Sequence, residues 1–175
     1  MQRTPFDQMH CSVARTIDVL GEWWTPLIVR DLALGISRFD RIQRDLGISR
    51  KVLAQRLAAL EEHGVVTRVA YQEHPPRHDY WLTEKGAELA MVLLAMQAWG
   101  DRWTAGAEGP PVVMRHERCG HDTTATVSCS CCGEPLNLLE LTPRVGPGGR
   151  QARGTHEIPA ALAELQRQRA QAAGG

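Results

Sequence analysis

The chain of 175 residues is long enough for one compact domain plus an accessory piece, and too short for two large enzymatic domains. Its 20 basic and 20 acidic side chains cancel, so the whole-chain charge carries no signature of a nucleic-acid partner and any basic surface has to be local. The cysteines are odd in number, and four of the five fall between residues 119 and 132, which fits metal binding in a reducing compartment better than a disulfide framework.

The stretch up to Trp24 has no apolar run of signal-peptide length. The apolar run from Ala87 to Trp99 is broken by Glu88 and Gln97 and falls short of the roughly 20 residues that a bilayer span needs. The expectation is a soluble cytoplasmic protein with no membrane partner. Val13, Ile17 and Leu20 follow helical spacing behind a Ser12 cap, with Gly21 as the stop. Thr25 and Pro26 read as a cap followed by the helical position where a missing N–H costs nothing. Leu27, Ile28, Leu32 and Leu34 then carry a helix, apolar on more than one side, to Gly35.

Ser37 reads as the cap of a third helix through Phe39, Ile42 and Leu46, ended by Gly47. Ser49 opens a fourth, with Val52, Leu53, Leu57 and Leu60 on its inner face and His63-Gly64 as its close. Two short helices joined by a tight glycine turn make a helix-turn-helix unit. Residues 65–71 and 79–83 are rich in β-branched and aromatic side chains and predict a hairpin with a proline-stiffened tip. Thr83-Glu84-Lys85-Gly86 starts a long helix whose Leu89, Met91, Val92, Leu93, Leu94, Met96, Trp99 and Trp103 cover more than one stripe. A helix of that kind needs two apolar surfaces, and a second copy of the chain is the simplest source of the other.

Short strands around the cysteines follow a Pro- and Gly-rich break at 105–111. Residues 143–154 read as a flexible linker, and 158–172 as a polar helix that nothing obliges to dock, taken as partly disordered. The expected fold class is α+β, mainly helical: a winged helix-turn-helix domain at 8–105 with a long C-terminal dimerisation helix, a small β zinc-ribbon-like module at 111–142, and a tail at 143–175.

Around the turn, Arg38, Arg41, Arg44, Arg50, Lys51 and Arg56 outnumber Asp40 and Asp45, which is the local basic patch that the overall charge conceals. Ser49, Arg50, Lys51, Gln55 and Arg56 fall on the outward, N-terminal part of the recognition helix, where side chains meet base edges and phosphates in a major groove. Arg38 lies beside them. His74-Pro75-Pro76-Arg77-His78 forms a rigid tip that brings Arg77, with His74, to the adjacent minor groove or backbone. The plain alternative is a set of solvated charges on an exposed helix and prolines in a loop, where prolines ordinarily go.

Four ordered segments carry a family resemblance: residues 11–25 (CSVARTIDVLGEWWT), 34–39 (LGISRF), 57–66 (LAALEEHGVV) and 75–86 (PPRHDYWLTEKG). Together they resemble the HxlR family of bacterial transcriptional regulators over about Cys11 to Trp103. The resemblance implies a homodimer, held by the first and last helices of the winged-helix domain, that binds pseudo-palindromic double-stranded operator DNA and represses or activates nearby genes. It implies no enzyme activity. It also places Cys11 where some members sense oxidants or electrophiles; otherwise Cys11 is a small buried apolar residue, the usual fate of a free cysteine. The five tryptophans read mostly as core or dimer contacts, some of them able to line a pocket for a small-molecule effector.

His116-x2-Cys119-Gly120 and Cys129-x2-Cys132-Gly133 are two matched knuckles, nine residues apart. Three thiolates and one imidazole would make a closed tetrahedral site for structural zinc. His121 competes with His116 for the nitrogen position, and Cys131 competes with Cys132 or stays free. An unmetallated hairpin and a redox switch are the other readings of this stretch, which also resembles a C-terminal ribbon found in some relatives. Two rival functions stand beside the regulator. One is a winged-helix protein-interaction module with the ribbon as docking surface. The other is a thiol oxidoreductase built on Cys129 and Cys132, for which no βαβ context exists.

Overall fold

The computed structural model describes Phe6 and residues 9–173. In chain order these form α1 (Ser12–Leu20), α2 (Trp24–Ala33), α3 (Phe39–Leu46), α4 (Arg50–Glu62), β1 (Val66–Gln72), β2 (Arg77–Leu82) and α5 (Glu84–Trp103). After these come β3 (Met114–His116), β4 (His121–Thr123), a single 3-10 turn (Leu138–Glu140) and α6 (Ile158–Ala173). The described chain falls into two compact units, one spanning 22–135 and the other joining the residues up to 21 with those from 136 onward. The expected domain start at residue 8, and the last two residues of the expected tail, lie outside the described residues.

In the larger unit, the core is built by α2, α3, α4 and the start of the hairpin. Ile28, Val29, Ile42, Leu53, Leu57, Leu60 and Val65 are all buried. Each such side chain stabilises the fold by about 1.5–3 kcal/mol relative to exposure. Leu53, Leu57 and Leu60 recur four and three positions apart along α4, which is why the sequence pattern locates them. Asp31 does not follow that pattern: it is wholly buried in α2, where its Oδ1 accepts hydrogen bonds from Arg30 Nε (3.0 Å) and Nη2 (2.6 Å). Its Oδ2 has no partner among the described residues.

Three helix starts differ from the expected ones. α2 begins a turn's edge earlier, with Trp23 at the N-cap and Thr25 buried inside the helix. α3 is preceded by Arg38 instead of Ser37, because the Ser37 hydroxyl is taken by Asp79, donating to Oδ1 at 3.0 Å. Likewise Cys11, not Ser12, is the N-cap residue of α1. Ser49 does cap α4, accepting from the Val52 amide at 3.3 Å, and Thr83 caps α5, accepting from the Gly86 amide at 3.2 Å. Gly47, at φ 63°, makes the left-handed turn between α3 and α4 that an L side chain would resist.

β1 and β2 pair antiparallel, from Val66 opposite Leu82 to Gln72 opposite Arg77, with an irregularity between Ala70 and Gln72. The hairpin hands directly over to α5. Thr83 Oγ1 donates to the Gly64 carbonyl at 2.7 Å, Lys85 Nζ donates to the His63 carbonyl at 2.7 Å, and a Cβ at Gly86 would collide with the Val65 carbonyl. One side of α5 lies on α2. Met91, Val92, Met96, Trp99 and Trp103 on the rest of α5 are exposed, as are Trp23 and Trp81, so most of the tryptophans are not core residues of the chain.

The cysteine-rich segment holds the two-stranded ladder of β3 and β4, Met114 opposite Thr123 to His116 opposite His121, and a bridge between Ser128 and Pro135. In the smaller unit, Thr155 is buried and ties its own loop, donating to the Arg150 carbonyl at 2.8 Å. The polar helix expected at 158–172 is formed as α6. Its Arg169 Nη1 donates to Thr142 Oγ1 at 2.9 Å and its Gln166 Nε2 to the Pro143 carbonyl at 3.3 Å, so hydrogen bonds rather than apolar burial attach it to the 142–143 stretch.

Candidate nucleic-acid interface

The packing of Leu53, Leu57 and Leu60 inward turns Arg50, Lys51 and Gln55 outward on the first turns of α4, with Ser49 exposed at the cap. Arg50 is propped there. Its guanidinium lies 5.1 Å from the centroid of the Phe39 ring, and Nη1 donates to Gln43 Oε1 at 3.4 Å. Arg38 is held between two partners, 4.8 Å above the Tyr71 ring centroid and with Nε 3.7 Å from Asp79 Oδ1.

Asp79 joins the two halves of this surface. Besides facing Arg38, it accepts from Ser37 Oγ, and the adjacent Tyr80 amide donates to the Ser37 carbonyl at 2.9 Å. A single antiparallel bridge, Arg38 opposite Asp79, therefore joins the residue before α3 to β2 and ties the wing to the helix-turn-helix. Between them lies a cleft of about 350 Å³ lined by Phe39, Asp40, Arg50, Tyr71, Arg77 and Tyr80. Burial pushes the Tyr80 hydroxyl above its usual pKa, with the Arg68 cation working in the other direction. At the wing tip, Gln72 Nε2 donates to the His74 carbonyl at 2.9 Å, leaving the His74 ring and Arg77 exposed.

Of the expected contact residues, Lys51, Gln55 and Arg77 make no ion pair or side-chain hydrogen bond among the described residues. Arg56 is different from expectation. It is only 21% exposed and its Nη2 lies 3.5 Å from Glu22 Oε1, so it braces α4 against the start of α2 in place of standing free on the outer face. A lone arginine in a helix sequence gives no sign of such a partner. The same holds for Phe39, Tyr71 and Asp79, whose service to Arg50 and Arg38 depends on the pairing of β1, β2 and α3.

The cysteine stretch forms both knuckle turns. The His116 carbonyl accepts from the Gly120 amide at 2.8 Å, and the Cys129 carbonyl from the Gly133 amide at 2.9 Å, each glycine having positive φ. His116 Nδ1 and Cys119 Sγ are 3.4 Å apart. Cys129 Sγ accepts from the Cys131 amide at 3.5 Å, and the backbone N–H groups of Cys132 and then Cys131 hold its thiol below the ordinary range. All five cysteines are free. Among the described residues, no three His, Cys, Asp or Glu side chains are gathered in a metal-holding group. Cys11, at the start of α1, is partly exposed, not a fully buried apolar residue.

A helix-turn-helix, a β wing tied to it, and cations turned outward at the joint define a winged helix-turn-helix DNA-binding protein. The sequence profile of the HxlR-like helix-turn-helix family matches residues 19–108, and the chain belongs to that family of transcriptional regulators, which are not enzymes. It is 41% identical over 137 residues to Rv3095 of Mycobacterium tuberculosis, an uncharacterised HTH-type transcriptional regulator, across 78% of this chain and 87% of that one. A second such regulator, sll1512 of Synechocystis, is 39% identical over 94 residues, covering 53% of this chain and 70% of the relative. Among solved structures, PA1607, a candidate transcription factor, superposes with a TM-score of 0.70 at 34% identity, over 82% of this chain and 99% of its own. PA1374 of Pseudomonas aeruginosa gives a TM-score of 0.55 at 34% identity, over 81% and 96%. Among the described residues no helix is long and apolar enough to cross a membrane.

Proposed function

We propose that the chain acts as a homodimeric, sequence-specific regulator that grips operator DNA between the outer side of α4 and the wing. The observation that carries this is the set of outward cations, Arg50, Lys51 and Arg77, placed around one joint between helix and wing. Ser49, Arg50, Lys51 and Gln55 face the major groove in this reading, Arg38 the phosphates, and Arg77 with His74 the neighbouring minor groove or backbone. Arg56 sets the angle of α4 through Glu22.

The exposed Met91, Val92, Met96, Trp99 and Trp103 of α5 support a second copy as the cover of that face. Two-fold symmetry then sets the recognition helices about one DNA turn, roughly 34 Å, apart. The partly exposed Cys11 supports a thiol-reactive effector as the signal.

The test is binding of the full chain to DNA flanking its own gene as salt is varied. The expected affinity falls linearly with salt on logarithmic axes. Arg50→Ala costs about 1–3 kcal/mol and relaxes specificity, while Lys51→Ala lowers the salt slope by about one. Partner-protein binding without any salt-dependent DNA affinity would instead select the protein-interaction module. Trp99→Glu should convert a sedimenting dimer to a monomer, and an unchanged dimer would reject α5 as the interface.

A further inference from the structure

Residues 115–135 contain no buried side chain, and only Ala125 and Cys129 are even half covered. A segment that removes so little apolar surface from water has little to offset its loss of chain entropy. It is nevertheless shaped into two turns of one design, each with the carbonyl of the first residue bonded to the amide of a positive-φ glycine four positions on. Such a turn brings its first and fourth side chains together: His116 with Cys119 in one, Cys129 with Cys132 in the other.

We propose that these turns are two halves of one structural zinc site, with His116 Nδ1 and the thiolates of Cys119, Cys129 and Cys132 as its ligands. Tetrahedral zinc with bonds of about 2.3 Å to sulfur and 2.05 Å to nitrogen places adjacent ligand atoms about 3.6 Å apart. The first half already has His116 Nδ1 and Cys119 Sγ at 3.4 Å. In the second, the Cys131 amide points at Cys129 Sγ, a donor suited to a sulfur that carries negative charge. Three thiolates and an imidazole are a soft set that selects zinc over calcium or magnesium. The two halves are not gathered among the described residues, and closing them on the ion is what the metal contributes. Binding releases the three thiol protons and leaves the imidazole neutral. His121, paired with His116 across the β3–β4 ladder, and Cys131 stay outside the ligand set.

The experiment uses the full chain, purified without chelator, with zinc as the probe. One zinc per chain is expected. A thiol reagent should then modify two of the five cysteines quickly and all five once a chelator has removed the metal. His116→Ala, Cys119→Ser and Cys132→Ser should each weaken zinc binding by on the order of 100-fold or more, and His121→Ala and Cys131→Ser by less than about threefold. Wild-type protein that neither carries zinc nor takes it up at micromolar concentration overturns the site. So does zinc binding that survives Cys119→Ser and Cys132→Ser. Loss with His121→Ala and not with His116→Ala overturns the ligand set. The thiol count on the wild-type chain decides the matter even if a cysteine variant fails to fold, since five equally fast thiols in the zinc-loaded protein also overturn it.

Discussion

The winged helix and the cysteine-rich segment lie in the same compact unit yet are held by opposite means. From α2 to the start of β1, buried aliphatic side chains recur at helical spacing and close on each other. From residue 115 to 135, the side chains are nearly all exposed, and short ladders and glycine turns give the backbone its path. The first region is specified by volume, which leaves some surface charges, Lys51 and Arg77 among them, free to serve a partner. The second spends its polar and sulfur side chains on local geometry. A winged helix can therefore present Lys51 and Arg77 without internal partners, whereas the knuckle residues face each other.

The sharpest way to separate the regions is by truncation. Leu57→Ala should cost about 2–5 kcal/mol in denaturant unfolding because Leu57 is buried in a close-packed site. Val127→Ala, at a residue 61% exposed in the cysteine-rich segment, should change stability by less than about 0.5 kcal/mol. Equal effects would erase the distinction.

A smaller effect is expected at the tie between helix and wing. Asp79→Ala removes the acceptor of Ser37 and the counter-charge of Arg38, and should cost about 1–2 kcal/mol of stability. Operator binding should weaken with it, and heteronuclear NMR should show faster motion in β1 and β2 with α4 unaffected. Intact operator affinity in a folded Asp79→Ala protein would show that the wing needs no such tether.

Asp31 tests the core from its weakest point. Burial raises its pKa above the ordinary 3.8 despite the Arg30 guanidinium, so the folded chain holds the proton more firmly than the unfolded one. Stability from this group is therefore lost as pH rises from near 3.8 through the higher folded value. Asp31→Asn should be more stable than the parent at pH 7, with the gap closing as pH falls toward 4. A gap that widens on acidification would mean that the ion pair with Arg30 outweighs desolvation. The smallest effect is expected at Cys11→Ser, which should leave melting temperature and operator affinity unchanged and abolish only the response to thiol-reactive compounds.

The helix-turn-helix, the hairpin and the long last helix were legible because apolar residues recur at periods of 3.6 or 2 and because Gly47, Ser49 and Thr83 punctuate them. The outward cations of α4 were legible for the same reason, since fixing the inner face fixes the outer one. Only the tertiary structure decided which charges stay free. Arg56 is spoken for by Glu22, Arg38 by Tyr71 and Asp79, and Asp31 is carried into the core by the helix around it. Periodicity records which side of an element is apolar; it holds no information on which distant side chain stands opposite, because strand register and helix packing set those distances.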